Sequence, residues 1–223
     1  MGLLSWLRGG AGEDAERRQE SVAARLDNLA QIEPHWSTES LRRRIRDAFF
    51  AVQRSWIERD PAIGEPFMTP EMVARQRLRI EGLVRQRRVH QLENPLIEDL
   101  DFVRIQEPAP SPDGLARVVA LLDMSMVETI LDADTGALVA GAPNRVLRRR
   151  QYWVFVRRDG SWLLDDVEQP DEGERHLNAP LVGGDYARLS PESVLRERYA
   201  RGEIEIEQFE REYARLLERG PTY

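Results

Sequence analysis

The sequence predicts an α+β domain, and three observations carry that reading. Apolar residues recur at helical spacing through the first third of the chain. Alternating runs rich in β-branched and aromatic residues follow from Leu100 to Val167. An Asp-Gly pair, Asp159-Gly160, separates the last two of these runs. Helices followed by consecutive strands fit helices laid across one face of a curved antiparallel sheet. Four strands are expected, forming a cone whose mouth lies between helix and sheet.

The centre of this scheme is Tyr152-Trp-Val-Phe-Val-Arg-Arg-Asp-Gly-Ser-Trp-Leu-Leu-Asp-Asp-Val167. Asp-Gly between apolar runs is a strong hairpin signal, because Gly reaches positive φ without steric cost. Tyr152, Val154 and Val156 share one face of the first strand, and Trp153 and Phe155 the other. Both faces carry large apolar groups, so the hairpin is expected to be covered on both sides.

Ahead of it, Gly9-Gly-Ala-Gly12 reads as a flexible hinge. Glu16 to Leu29 reads as a helix, with Val22, Leu26 and Leu29 on a narrow apolar stripe. Pro34 closes it. Ser37-Thr-Glu-Ser40 supplies caps for a second helix that runs to about Arg59. Leu41, Ile45, Phe49, Val52 and Trp56 form its apolar face, so Trp56 is expected to be buried along with Trp153. Asp60-Pro61 stops it. A third helix is capped by Thr69, with Pro70 at the first helical position, and continues to about Arg88. Val89 to Pro95 reads as a loop and Leu100 to Gln106 as a strand. Pro108 to Gly114 is a turn cluster, followed by a strand over Ala116 to Leu131. The turn Asp132-Ala-Asp-Thr-Gly136 comes next. Gly141 and Pro143 interrupt Ala137 to Val146, and Arg148 to Arg157 is the strand that enters the hairpin.

These elements divide the chain into four parts. Residues 1–33 hold an apolar start and an amphipathic helix, and 34–169 the α+β cone. Residues 170–187 form an acidic linker, and 188–220 a helical hairpin. The hairpin would place Leu195, Tyr199, Ile206, Phe209 and Tyr213 on an apolar stripe, too small to be stable alone.

Composition narrows the function. The chain has 223 residues, is 41% apolar and 32% charged, and carries a net charge of −7. It has no cysteine, which excludes disulfides, cysteine nucleophiles and thiolate metal sites. All 32 basic residues are arginine. Up to Leu164 there are 24 acids and 24 arginines, and from Asp165 onward 15 acids and 8 arginines. A neutral body with an acidic tail does not suit a general nucleic-acid binder. No stretch approaches the roughly 20 apolar residues needed to span a bilayer. Leu3, Leu4, Trp6 and Leu7 suit a shallow interfacial anchor. Arginines cluster at Arg42 to Arg44, Arg75 to Arg88 and Arg148 to Arg150, and suit an anionic surface.

Several motifs converge on one family. They are Phe49-x-x-Val52-Gln53-x-x-Trp56-x-x-Arg59-Asp60, Met68-Thr-Pro-Glu71, Leu92-Glu-Asn-Pro, Asp134-Thr-Gly136, and Tyr152-Trp-Val-Phe-Val-Arg157 with Trp162-x-Leu164. In these the chain resembles, from about Pro34 to Gln169, the Tim-forty-four-like family, named for the scaffold subunit of the mitochondrial import motor. The resemblance implies a cone similar to nuclear transport factor 2, membrane association and no catalytic signature. It departs from several bacterial relatives, which place a transmembrane segment before the domain. Ser190-x-x-Ser-Val-Leu-Arg-Glu-Arg-Tyr-Ala-Arg-Gly202-Glu-Ile204, with Phe209 and Leu216, resembles the SHOCT module, a short helical hairpin appended to many bacterial proteins. That resemblance implies an interaction role.

Candidate chemistry is sparse. His35, His90 and His176 lack metal-ligand spacing, so no metal or cofactor is expected. Asp99, Asp101 and Asp123 could meet in the cone, where an apolar pocket raises a carboxyl pKa. Asp123 interrupts a long strand, and its alternative place is the outward face of that strand. The candidate pocket lining is Phe49, Trp56, Asp123, Trp153 and Phe155, which otherwise are core. Arg148, Arg149 and Arg150 are the candidate anionic-surface contact. Tyr199, Phe209 and Tyr213 are the candidate partner or self-association contact of the C-terminal hairpin. The function expected is that of a non-catalytic scaffold, cytoplasmic and peripheral to a membrane, serving protein translocation or membrane-complex assembly. The alternative is a small-molecule binder or lyase/isomerase-type enzyme using the cone.

Overall fold

The structure is a computed structural model that describes residues 10–108, 115–178, 191, 194–195, 198 and 203–219. Its helices are α1 (Gly10–Ile32), α2 (Thr38–Glu58), α3 (Pro70–Arg85), α4 (Pro170–Gly173), α5 (Arg175–Asn178) and α6 (Ile206–Arg219). Its strands are β1 (Arg88–Gln106), β2 (Arg117–Asp132), β3 (Leu138–Arg158) and β4 (Ser161–Glu168). The strands form one sheet in the order β1-β2-β3-β4, with β4 antiparallel to β3. The α+β class expected from the sequence is the class observed.

The helix boundaries follow local chemistry. The Ser37 hydroxyl accepts from the Ser40 amide at 3.4 Å, capping α2. Thr69 caps α3 by accepting from the Met72 amide at 3.3 Å, with Pro70 next to it. Such caps satisfy amides that have no partner within the helix. α1 starts at Gly10 and takes in glycines expected as a hinge. The first turn tolerates them because its amides need no intrahelical acceptor.

The sheet extends further than the sequence suggested. β1 begins at Arg88, through the stretch expected as a loop, with Asn94 at φ 51 and Pro95 inside it. β1 is the terminal strand, where a proline and an irregular residue need not cost a ladder bond. β3 likewise runs unbroken through Gly141 and Pro143. Gly141 has φ 87, and a Cβ there would lie 2.2 Å from the Glu128 carbonyl oxygen of β2. Only glycine fits that approach. At the far end, Asp159 and Gly160 both have positive φ, 48 and 79, in a two-residue turn between the paired Arg158 and Ser161. That pattern matches the right-handed twist of the strands it joins. The register shifts between Val154 and Phe155, a local bulge.

The chain divides into two compact units, one of Met1–Leu41, Phe102–Val118 and Glu174–Tyr223, the other of Arg42–Asp101 and Val119–Gly173. In the first, α1 packs against α6, and Val22, Leu26, Leu29, Trp36, Val103 and Val118 are buried. Val194 and Leu195, from the segment expected as a separate hairpin, are fully buried too. In the second, α2, α3 and most of the sheet enclose a core that includes Ile45, Phe49, Leu122, Trp153, Phe155 and Leu164. Thr69 also donates its amide to the Leu164 carbonyl at 2.9 Å, tying the start of α3 to β4. The stretch expected as an acidic linker opens with the short helices α4 and α5, and Gly173 lies on the Tyr152 ring, where a Cβ would come within 1.9 Å.

Candidate binding surface

The predicted pocket residues separate into three environments. Phe49 of α2 and Trp153 and Phe155 of β3 are sealed in the core, each at most 2% exposed. Their rings lie 5.8 Å (Phe49–Trp153) and 6.4 Å (Trp153–Phe155) apart, in the range where aromatic pairs attract beyond the area they bury. Trp56 was expected to be buried and is only half-buried. Near the end of α2 it meets the edge of the His90 ring, 5.7 Å away, instead of entering the core. Asp123 is a half-exposed residue of β2. Both of its oxygens accept from Arg150 of β3, at 2.8 and 2.6 Å. This fork-on-fork geometry is the strong form of the pair, and it holds the Arg150 pKa above its usual value.

The three strand carboxyls do come together. Burial, followed by the neighbouring Asp99, raises the Asp101 pKa, with Asp123 adding to the effect and Arg42 and Arg150 opposing it. Arg42, on α2, donates to the Leu100 carbonyl. The group therefore holds three carboxyls and two arginines, and Asp123 has given both oxygens to one of the arginines. It leaves Asp101 as the carboxyl biased toward its neutral form.

A second polar chain crosses β1, β2 and β3. His90 Nε2 lies 2.8 Å from Glu128 Oε1, and Arg149 donates to the other Glu128 oxygen. The hydrogen bond from His90, with the hydrogen bond and charge of Arg149, holds the Glu128 pKa down at about 2. Arg148 faces Glu98 at 3.8 Å. Each of the three arginines singled out for an anionic surface thus has a carboxylate partner on β1 or β2. Arg150 is the most enclosed of them, and Arg148, 67% exposed, the most open.

Several arginines of the other clusters are also engaged. Arg44 donates to the carbonyls of Trp162 at 2.8 Å and Pro66 at 2.6 Å, and lies over the Phe67 ring. Burial lowers its pKa. Arg75 bridges to Asp166 at 3.2 Å, Arg87 to Asp134 at 2.6 Å and Arg88 to Asp132 at 3.3 Å. The apolar start, Leu3 to Leu7, lies outside the described residues, as does Tyr199. Tyr213 belongs to α6, but its side chain is also outside them. Phe209 is half-buried on α6.

Sequence reasoning missed an ion cluster in the first unit. Arg25 of α1 donates to Glu107, which follows β1, and both are buried. Arg198, 4% exposed, lies 3.2 Å from Glu33, 3.4 Å from Glu107 and 3.6 Å from Glu203. Glu33 also accepts from the Trp36 indole at 3.1 Å. The one available signal was Arg25 itself, an arginine set among the stripe residues Val22, Leu26 and Leu29.

The second unit also carries a groove of about 660 Å³, lined by Met68, Pro70, Val73, Arg77, Arg158 and Leu163 among others. None of the residues predicted to line a pocket borders it. Among the described residues no three His, Asp or Glu side chains are grouped to hold a metal, and no helix is long and apolar enough to cross a membrane.

A family model described as the Tim44-like domain matches residues 22–169. No curated protein matches the chain. Among solved structures, the intermembrane space region of the chloroplast protein ARC6 matches at 12% identity over 59% of this chain and 95% of that one, with a TM-score of 0.42.

Proposed function

The chain belongs to the Tim44-like family, and from that premise we propose that it is a non-catalytic binding or scaffold protein that works at a membrane surface. One observation carries this reading. Phe49, Trp153 and Phe155, which could have lined a pocket, are packed against one another, and Asp123 is locked by Arg150, while Arg145, Arg148 and Arg149 stay exposed on β3. Recognition therefore belongs on the outside of this unit. The contact with the membrane is peripheral and electrostatic. Each exposed arginine contributes about 1 kcal/mol near an anionic leaflet, and the effect is screened by salt. The family's scaffold role extends this reading to assembly of a membrane complex or of a translocation apparatus.

Co-sedimentation of the full chain with vesicles of phosphatidylcholine and anionic lipid tests the proposal. Binding is expected at low ionic strength, weakened at high salt, and reduced in the R145E/R148E double variant. Absence of binding at low salt, or binding indifferent to both salt and the double variant, refutes the electrostatic attachment.

A further inference from the structure

β3 is much longer than the strand beside it. It spans Leu138–Arg158, while its pairing with β4 covers only Tyr152 to Arg158. With the order β1-β2-β3-β4, the side of β3 away from β2 has no strand neighbour among the described residues from Leu138 to Gln151. A strand edge of this kind presents outward-pointing amides and carbonyls that template another strand. Pro143 lacks an amide, which leaves Asn144 to Gln151 as an eight-residue proline-free stretch.

The side chains on this stretch say what would fit. Asn144, Arg145, Val146, Arg148 and Arg149 are exposed, Val146 at 61%. From Leu138 to Arg158 the strand has six arginines and no acid. An antiparallel copy of the same strand would therefore set arginine against arginine, and like charges opposite one another destabilise a pair. A second copy of this chain is disfavoured for that reason. Arg145 has no acidic partner among the described residues, and Arg148 is held only at 3.8 Å by Glu98. Successive side chains alternate between faces, so Arg145 and Arg149 share one face and Val146 and Arg148 the other.

We propose that the free edge of β3, Asn144 to Gln151, takes an extended acidic segment of a partner protein as a fifth strand of the sheet. Backbone bonds along the edge supply affinity. Carboxylates opposite Arg145 and Arg149, and an apolar residue opposite Val146 on the other face, supply selectivity. This inference rests on the binding-protein reading above and is independent of membrane attachment.

The test uses the full chain and a fluorescein-labelled ten-residue peptide of alternating Glu and Val. Two controls accompany it: the same peptide N-methylated at alternate amides, in each of the two possible phases, and lipid vesicles. Fluorescence anisotropy should show saturable binding without lipid, weakened at least tenfold by one N-methylation phase and hardly by the other. Amide exchange within residues 144–151 should slow on binding. R145E/V146E, which alters only exposed side chains, should weaken binding at least tenfold while leaving thermal unfolding unchanged. Equal binding of both methylated peptides means simple charge attraction and overturns the added strand. So does unchanged amide exchange at saturation, or the absence of peptide binding. Vesicle binding with no peptide binding would sink this inference while sparing the membrane reading, and the reverse result would do the opposite.

Discussion

The two halves of β3 are one strand in two environments. Tyr152 to Val156 are all buried, with β4 alongside, Phe49 against Trp153, and Gly173 on Tyr152. Residues 138 to 149 are exposed almost throughout and have no β4 neighbour. The composition differs accordingly, with aromatic and β-branched residues in one half and arginine, glycine and proline in the other. The contrast shows that a strand is a backbone state, and its stability is contributed by whatever covers its faces and edge. The covered half holds the domain together. The uncovered half lies beside β2 and has no strand on its outer edge among the described residues.

The comparison can be broken at four points. The largest effect is expected in the covered half: Trp153→Ala should cost about 3–5 kcal/mol in urea unfolding. A loss of less than about 1 kcal/mol would mean that the two halves do not differ in the way described. Gly141→Ala should cost about 2 kcal/mol despite its exposed position, since it adds a Cβ against the Glu128 carbonyl at positive φ. An unaffected melting temperature would show that the strand can shift to accept the methyl. Next comes the polar chain across the sheet. The folded-state pKa of Glu128 is depressed to about 2, so its contribution is fully present above the ordinary carboxylate value of 4.5. It is lost as pH falls from there through about 2. Glu128 and Arg149 are partly solvated, so the effect should be only about 0.5–1 kcal/mol. The difference in stability between wild type and E128Q should shrink over that window, and a constant difference down to pH 2 would refute the assignment. The smallest effect is Val146→Ala, expected within about 0.5 kcal/mol by the same unfolding assay. A larger loss would show that some part of the protein covers the edge.

The same contrast separates what the sequence reveals from what it hides. The hairpin around Asp159-Gly160 was legible because its signals are adjacent: an alternating run, an Asp-Gly pair, and a second run. The caps at Ser37 and Thr69 were legible for the same reason. The first part of β1 was not, because Asn94 and Pro95 read as a loop unless the strand is known to lie at the end of the sheet. Strand order is a tertiary property that no local window contains. The candidate pocket failed on similar grounds. Asp123 finds its partner 27 residues away and Arg25 finds Glu107 82 residues away, so neither pairing leaves a local pattern. Trp56 keeps helical phase with Phe49, yet it falls at the end of α2 where the core has already closed, against His90.

The buried ion cluster has a consequence for synthesis on the ribosome. The hairpin of β3 and β4 is contiguous and can close once Glu168 has emerged, since hairpins form in microseconds while translation adds only about 5–20 residues per second. The unit that contains Arg25, Glu107 and Arg198 is assembled from three separate stretches of chain. Arg25 and Glu107 can meet early, but Glu33 and Glu107 wait for Arg198, which is made well after both. Until then a carboxylate-rich, partly apolar surface stands open on the nascent chain. A ribosome stalled before Arg198 would leave Glu33 and Glu107 without that partner.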